Sequence, residues 1–387
     1  MSRPLSVLVN AGPWLAVPPD GYGGIENVLA TLIPELRERG VRVVLATVAE
    51  TTIAVDRKIA VFDCGQFREL GGPYNRVVGI AHAHMHGVLA ELDRAADIDL
   101  VHDHMEVVGA SMLGAVHGLP PVLQTLHWDL AKHERFYSTF DGGGRVFFNA
   151  LSSRQLAQAP ANLRLQTLAT IPLATPIPPA LDGATREHFV VLGRVCREKG
   201  ADIAANLCRQ KGLELRIAGP VAGASTAAEL ERRLDDPVWR TRADAAYYLE
   251  DVRPLEGNGV AWVGSVDAVG KRQLFRRARA LLCPIRWEEP GATAAIEALA
   301  HGVPIVAMRR GALADIVEHG VTGFLADDPD DFARYIDQVD VLDRAACRRA
   351  AETRFAPGIM AERYVRLYER IALSAWASVA PSTVKTA

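Results

Sequence analysis

Short runs of aliphatic and β-branched residues alternate with helical patterns along most of the chain. In the first half, the strand candidates are Leu5–Val9, Val41–Leu45, Leu100–His102, Val122–Leu126 and Val146–Phe148. In the second half, they are Phe189–Leu192, Glu214–Ala218, Val260–Val263, Ala280–Cys283 and Pro304–Ala307. Apolar strands that alternate with helices are typical of a parallel sheet covered on both faces, so the pattern predicts an α/β fold.

An amphipathic helix is predicted directly after a glycine-rich turn at residues 21–24. Its apolar positions recur at helical spacing on one face and are Ile25, Val28, Leu29, Leu32, Ile33 and Leu36. Pro34 stands inside this pattern, and its missing N–H predicts a kink or a shifted helix boundary. Further helices are predicted within the polar stretch 223–254 and over Met360–Ala372.

The length of the chain favours two domains, because 387 residues exceed the ~100–200 of a typical single domain. The segment Ala174–Ala180 is rich in proline, which stiffens the backbone and removes donors, and it is the best linker candidate. The predicted domains are residues 1–175 and 181–356. A helix at 357–376 is expected to cross back to the first domain.

The composition excludes several classes of protein. Hydrophobic residues make up 49% of the chain and charged residues 23%, and a net charge of −3 argues against a general nucleic-acid binder. Five scattered cysteines with no paired motif favour free thiols in a reducing cytoplasm. No run approaches the ~18 apolar residues of a spanning helix, so stable membrane insertion is not expected.

Two cations follow the first strand of the second half. The run Leu192-Gly193-Arg194-Val195-Cys196-Arg197-Glu198-Lys199-Gly200 places Arg194 and Lys199 five residues apart, where a strand gives way to a helix. Ligands of open α/β sheets bind at this edge, and a helix N-terminus favours anions. The two side chains therefore suit a diphosphate, although a solvated charged turn would have the same composition.

Two glutamates flank an apolar run after a later strand. Glu289 precedes Pro290, which suits the first helical position, and Glu297 is then expected about two turns inside that helix. The small residues between them would let a ligand approach the backbone closely. A helix cap for Glu289 and a surface charge for Glu297 are the alternative interpretations.

Together these motifs resemble glycosyltransferase family 4. The chain has Gly193-Arg194, Lys199-Gly200, and Glu289-Pro290 followed by Glu297, with seven residues between the glutamates. Supporting matches span nearly the whole chain and are Gly23-Gly24-Ile25-Glu26, Asp99-Leu-Val-His102-Asp-His104, Thr125-Leu126-His127, Trp262-Val263-Gly264-Ser265-Val266, Gly302-Val303-Pro304-Ile305-Val306 and Gly320-Val-Thr-Gly323-Phe324-Leu325. The resemblance implies the GT-B fold, in which two Rossmann-like domains with parallel sheets face a central cleft.

The resemblance also implies roles for the matching positions. Arg194 and Lys199 would bind the donor diphosphate, Glu297 the ribose, and Glu289 the transferred hexose. The backbone at Gly291, Ala292 and Thr293 would lie beside that sugar.

Three positions of the first domain have implied roles as well. His127 would lie near the sugar C6 hydroxyl and the reacting centre, although a histidine at a strand end can also be structural. Gly23 and Gly24 would let the backbone approach the phosphates.

The implied reaction is retaining and needs no metal and no cofactor, since a nucleoside diphosphate sugar serves as co-substrate. We expect a UDP-linked hexose or amino-hexose as donor, and a small soluble acceptor such as an aminocyclitol or sugar in antibiotic biosynthesis.

Three departures from the family pattern affect the sugar pocket and the linker: Gly291 replaces a frequent Phe, Asp315 the usual Glu, and Leu173–Ile177 the usual Asn-Gly-Val.

Four other interpretations remain. The histidines at 82, 84, 86, 102 and 104 could indicate a metallohydrolase, although only His82 and His86 would share a helix face. A nucleotide-sugar epimerase has the same architecture, and a non-enzymatic sugar-nucleotide sensor would keep the same binding positions. A glycosyltransferase acting on a lipid or polysaccharide is the fourth, but residues 50–100 carry few cations and no basic amphipathic helix.

Overall fold

The computed structural model describes residues 3–21, 23–180 and 186–379, with side chains up to residue 373. The chain divides into two compact units, Met1–Ala174 with Pro357–Ala387, and Thr175–Ala356.

The first unit is built on a parallel sheet of seven strands in the order β3-β2-β1-β4-β5-β6-β7. The strands are β1 Ser6–Asn10, β2 Arg42–Thr47, β3 Arg57–Ala60, β4 Leu100–Asp103, β5 Val122–Thr125, β6 Val146–Ala150 and β7 Thr167–Thr170. Its α-helices are α1 Gly24–Glu38, α2 Tyr74–Arg94, α3 Glu106–Ala115, α4 Glu134–Thr139, α5 Ser153–Gln158, α6 Ala161–Gln166 and, at the end of the chain, α16 Pro357–Val379. Short 3₁₀ turns cover Phe67–Gly71 and Leu130–His133.

The second unit repeats the plan with six parallel strands in the order β10-β9-β8-β11-β12-β13. They are β8 His188–Leu192, β9 Glu214–Ala218, β10 Val260–Gly264, β11 Ala278–Cys283, β12 Ile305–Met308 and β13 Gly323–Ala326. The α-helices are α7 Ala201–Lys211, α8 Ala227–Leu234, α9 Pro237–Arg240, α10 Ala243–Tyr247, α11 Ala268–Arg276, α12 Thr293–Ala300, α13 Leu313–Ile316, α14 Pro329–Ile336 and α15 Arg344–Arg354. A π turn covers Tyr248–Val252, and 3₁₀ turns cover Arg197–Lys199, Arg253–Leu255 and Val339–Val341.

Both sheets reverse their strand order at one point, which is where ligands of such folds bind. The reversal lies between β1 and β4 in the first sheet and between β8 and β11 in the second. Helices that leave neighbouring strands there diverge to opposite faces and open a crevice at the carboxyl ends. The prediction of two parallel, Rossmann-like α/β domains is confirmed.

The predicted strands are all present, with ends that differ by one or two residues. The pattern missed β3, β7 and β13. The first two lie at the sheet edges and are only half-buried, so they lack the apolar run of a central strand. The third begins with Gly323, a residue that is depleted in strands, which leaves only three apolar residues as a signal.

Pro34 does not shift the boundary of α1, which runs unbroken from Gly24 to Glu38. Leu29, Leu32, Ile33 and Leu36 are completely buried on its inner face, and this packing outweighs one missing hydrogen bond. The predicted helices at 223–254 and Met360–Ala372 are also confirmed, the latter as part of the longer α16. No helix among the described residues has the length and apolarity needed to cross a membrane.

Candidate active site

Lys199 and Glu289 meet at the carboxyl edge of the second sheet, beside the reversal between β8 and β11. Lys199 ends the 3₁₀ turn after β8, and its Nζ lies 2.5 Å from Glu289 Oε2 in the loop after β11. Trp287 Nε1 donates to the same oxygen at 2.9 Å, and the ring of Trp287 lies 5.8 Å from the ammonium. Two residues predicted from separate motifs are therefore partners in one half-buried cluster.

A network of hydrogen bonds around Asp202 holds the loop after β8 against the loop after β11. Arg286 donates to both carboxylate oxygens of Asp202 at 2.8 and 2.7 Å, while its backbone N–H bonds the carbonyl of Glu198 at 2.8 Å. Tyr247 Oη also donates to Asp202. Burial acts to raise the pKa of Asp202, but the hydrogen bonds from Arg286 and Tyr247 outweigh it and lower that pKa. The loop that carries Glu289 is thus fixed to the start of α7, just after Lys199.

The loop between Glu289 and α12 differs from the predicted one. Pro290 is not the first helical residue, because α12 begins only at Thr293. The helix is preceded by Ala292 in the left-handed conformation (φ 46°), which is uncommon for a residue with a side chain and clusters at functional sites. No side chain of the described residues caps this helix start. Its first N–H groups are therefore open to an acceptor on a ligand.

Glu297 lies about one turn inside α12, not two, since the helix starts later than predicted. Lys271 of α11 donates to its Oε1 at 2.6 Å, and both side chains are largely buried, with 29% and 19% exposed. Lys271 was not predicted as a site residue, because nothing in the local pattern of α11 shows that its side chain reaches α12. Neither glutamate caps a helix, and Glu297 is not a free surface charge.

Arg194 lies in a different set of contacts from Lys199. Its guanidinium bonds Asp244 Oδ2 of α10 at 3.0 Å and remains about half-exposed. Among the described residues, one group of three side chains of metal-ligand type lies close together, namely Cys196, Glu198 and Asp244. Burial raises the pKa of the Cys196 thiol to about 11, and the positive charge of Arg194 opposes a cation beside Asp244. The group therefore suits a guanidinium better than a metal ion.

Gly311 is a further site residue that the motifs did not reveal. Its N–H donates to Glu288 Oε2 at 2.6 Å, and the next N–H, of Ala312, bonds the carbonyl of Glu289 at 2.7 Å. A Cβ on residue 311 would stand 2.2 Å from the Glu289 carbonyl oxygen, and φ is +51°. The loop after β12 thus holds Glu289 through close backbone contact that only glycine allows.

Gly311→Ala is expected to reduce both the stability of the protein and the activity of the site. The left-handed conformation and the clash with Glu289 together should lower the free energy of unfolding by about 2–4 kcal/mol. Gly212→Ala is the control, because φ there is +65° and a Cβ would meet nothing within 4 Å. This variant should lower the free energy of unfolding by about 1 kcal/mol and leave the activity of the site intact. Equal losses in the two variants, measured by denaturant unfolding and initial rates, would contradict the proposed contact.

His127 follows β5 at the carboxyl edge of the first sheet. Its Nε2 lies 2.7 Å from Nδ1 of His104, which follows β4. Gln155 holds the chain around it by donating to the carbonyls of Leu126 and Trp128 at 2.9 and 3.1 Å. Burial lowers the pKa of His127 to about 3, so the ring is neutral near neutral pH.

The two glycines of the first domain have different surroundings. Gly23 is buried, and a Cβ there would lie 2.7 Å from the Pro19 ring. Gly24 is the exposed first residue of α1, and a Cβ there would meet nothing within 4 Å. Gly23 is therefore required by packing inside the unit, whereas the backbone of Gly24 is accessible to a ligand.

The three histidines of α2 lie in different surroundings. His84 is buried and bonds Asn10 Oδ1 at 2.7 Å, whereas His82 and His86 are exposed. None of them belongs to the group of metal-ligand type found among the described residues.

Two protein-family models match the chain. Residues 22–163 match the model described as Glycosyltransferase Family 4. Residues 186–339 match the model described as Glycosyl transferases group 1.

Curated relatives match over shorter segments. Spore coat protein SA of Bacillus subtilis (strain 168) is 25% identical over 132 residues, which are 32% of this chain and 35% of that protein. An uncharacterized 41.2 kDa protein in the cps region of Klebsiella pneumoniae is 30% identical over 125 residues, which are 30% of this chain and 34% of that protein. The match thus spans about a third of the length of either relative.

Solved structures match over nearly the whole chain. AviGT4, a glycosyltransferase involved in avilamycin A biosynthesis, is 26% identical with a TM-score of 0.65, and the match covers 96% of this chain and 99% of that one. Sucrose-phosphate synthase from Thermosynechococcus elongatus is 18% identical with a TM-score of 0.69, over 96% and 100% of the two chains. Anabaena Alr3699/HepE in complex with UDP-glucose is 18% identical with a TM-score of 0.62, over 95% and 100%. At 18% identity, the last two show the fold alone.

Proposed function

This chain belongs to the glycosyltransferases of the GT-B type, with a family 4 domain and a group 1 domain, and we propose that it is a retaining hexosyltransferase. The proposed donor is a UDP-linked hexose or amino-hexose, and the proposed acceptor is a small soluble molecule. We propose that neither a metal nor a cofactor takes part.

The observation that carries the proposal is the Lys199–Glu289 pair at the strand-order reversal of the second sheet. An ammonium has three donors, so Lys199 can keep its bond to Glu289 and still donate to a phosphate oxygen. Glu289 retains a second carboxylate oxygen that can accept from a sugar hydroxyl. One cluster thus offers a cation for the diphosphate and an anion for the hexose, which matches a sugar nucleotide.

The chemistry requires charge stabilisation more than proton transfer. The bond between the anomeric carbon and the diphosphate oxygen breaks, and a bond to the acceptor hydroxyl forms on the same face. The acceptor proton passes to the departing phosphate oxygen. Lys199, Arg194 and the open N–H groups before α12 would stabilise the negative charge that grows on the diphosphate. His127 would bond a hydroxyl of the transferred sugar.

The proposed acceptor class rests on the likeness to AviGT4, whose match covers 96% of this chain at 26% identity. An aminocyclitol or a sugar of an antibiotic is therefore the first acceptor to test. A polysaccharide or lipid-linked acceptor is the alternative to test beside them.

The direct test is a two-stage screen. Nucleotide sugars are first tested for binding and slow hydrolysis, and the best donor is then combined with aminocyclitols, free sugars, an oligosaccharide and a lipid-linked sugar. NMR of the product gives the anomeric configuration, and an inverted product would contradict the retaining mechanism. A donor-only incubation that yields an epimer of the sugar nucleotide would indicate the epimerase instead.

Transfer is expected to survive chelation. Arg194 and Lys199 supply the positive charge that a divalent ion supplies in other transferases, and the group around Cys196 suits a guanidinium. Initial rates in excess EDTA should therefore equal those without it. A loss of activity that only an added divalent ion restores would overturn this part of the proposal.

A further inference from the structure

The ring of His104 is buried against His127, and only one of its two nitrogens has a hydrogen-bond partner. His104 is 3% exposed, its Nδ1 lies 2.7 Å from His127 Nε2, and the ring centroids are 5.0 Å apart. Its Nε2 is buried and has no hydrogen-bond partner among the described residues. Because one N–H lies between the rings, either His104 donates to His127 or His127 donates to His104.

The neighbouring polar groups are not hydrogen-bond partners of His104 Nε2. Thr125 donates its only hydroxyl proton to Asn149 Oδ1 at 2.8 Å, so it must accept from His102 Nε2 at 2.7 Å. The neutral His102 ring then accepts at Nδ1 from Tyr368 Oη at 2.7 Å. Both nitrogens of the His102 ring, which packs against His104 at a centroid distance of 4.2 Å, are therefore occupied.

The carboxylate beside His104 accepts its hydrogen bonds from other donors. Asp103 accepts from Asn10 at 2.7 Å on one oxygen, and from Gln124 at 2.5 Å and the Met105 N–H at 3.2 Å on the other. Neither His102 nor Asp103 therefore accepts a hydrogen bond from His104 Nε2, which has no partner among the described residues.

The unsatisfied nitrogen decides the direction of the hydrogen bond between the rings. If His127 donated, the neutral His104 ring would carry its proton on Nε2, as a buried N–H with no acceptor. If His104 donates from Nδ1, its Nε2 is unprotonated and carries only a lone pair that accepts no hydrogen bond. Buried N–H groups without a partner are rarer in proteins than unsatisfied acceptors, because the donor loses its full interaction with water.

We propose that His104 is a positioning residue that donates its Nδ1–H to His127 and thereby fixes His127 as the Nδ1–H tautomer. His127 then presents an N–H donor on the side of its ring away from His104. An N–H can donate to a sugar hydroxyl oxygen without competing for the hydroxyl proton. This inference rests on the proposed function in giving His127 a place at the transferred sugar, whereas the tautomer itself does not depend on that function.

Nitrogen NMR of the full-length protein labelled with ¹⁵N-histidine tests the tautomer directly. Long-range proton–nitrogen correlations distinguish a protonated from an unprotonated ring nitrogen, and His127→Gln identifies the His127 signals by their loss. We expect His127 to be protonated on Nδ1 and unprotonated on Nε2. A wild-type spectrum with the proton on Nε2 of His127 would overturn the proposal without any variant of His104.

Two variants of His104 test its effect on transfer. The amide nitrogen of Asn can occupy the position of Nδ1, so His104→Asn should keep the tautomer and stay within about threefold of the wild-type kcat. His104→Leu removes the donor and should lower kcat about tenfold with little change in the donor KM, which is the scale of one hydrogen bond. His84→Asn is the control, because His84 is a buried histidine of the same unit that bonds Asn10 and not His127.

The outcomes separate this inference from the function on which it rests. If His104→Leu keeps the wild-type kcat or the Nδ1–H tautomer of His127, the positioning role is wrong. If His127→Gln transfers sugar at the normal rate while the wild-type tautomer is as expected, the role of His127 in the proposed function is wrong and the hydrogen-bond direction stands.

Discussion

Lys199→Ala is expected to lower the turnover of sugar transfer by ~10²–10³, the scale for removing one preorganised electrostatic donor. Lys199 is only 23% exposed, so its charge acts in a partly desolvated environment where it stabilises the growing charge of the diphosphate strongly. The variant also leaves Glu289 without its cation, next to a negatively charged ligand. Both effects act in the same direction and are larger in the transition state than in the bound donor.

The comparison variants isolate the effect of position from the effect of charge. Lys211→Ala removes an ammonium at the far end of α7, the helix that follows Lys199, where Lys211 pairs with Asp337 at 2.6 Å, and should leave turnover unchanged. Arg194→Ala should lower turnover to a similar degree as Lys199→Ala if both cations bind the diphosphate. Initial rates at saturating donor decide this, and a double variant with a near-normal rate would show that neither residue does so.

The sequence predicted the central strands of both sheets because their signal is local. Each central strand is buried on two faces, so it appears as an apolar run such as Phe189–Leu192. The edge strand Arg57–Ala60 has no such run, because solvent reaches it and only half of its residues are covered. Burial on both faces, and not strand formation itself, is what the hydrophobic pattern reports.

The candidate site could be predicted only as far as it follows from consecutive residues. Lys199 and Glu289 were found through separate motifs, but their 2.5 Å contact depends on which strands are neighbours in the sheet. Lys271 of α11 contacts Glu297, and Gly311 of the loop after β12 contacts Glu289. No spacing near the glutamates indicates either residue. The late start of α12 was missed because Ala292 adopts a left-handed conformation that its residue type does not favour.

Glu297→Gln and Glu289→Gln are expected to separate nucleotide binding from sugar transfer. Glu297, held by Lys271, is proposed to bind the ribose, which the free nucleoside diphosphate shares with the whole donor. Glu289, held by Lys199 and Trp287, is proposed to bind the hexose, which the free nucleotide lacks. Gln keeps the shape of each side chain, removes its charge and replaces one acceptor oxygen by an NH₂ donor, so the change in each variant reports the loss of the carboxylate as an acceptor.

Each loss should be tenfold or more, since a hydrogen bond to a charged group contributes roughly 1.5–3 kcal/mol. Glu297→Gln should weaken the binding of the free nucleotide and of the sugar donor alike. Glu289→Gln should lower the rate of sugar transfer and leave the affinity for free nucleotide nearly intact. In Glu289→Gln, Lys199 loses its charged partner but keeps its own positive charge. Because Lys199 can still bind the diphosphate, the affinity for free nucleotide should change little. Calorimetry with free nucleotide, beside initial rates for both variants, measures the two effects separately. If Glu289→Gln weakens the binding of free nucleotide as much as Glu297→Gln does, the assignment of ribose and hexose to these two carboxylates is reversed or wrong.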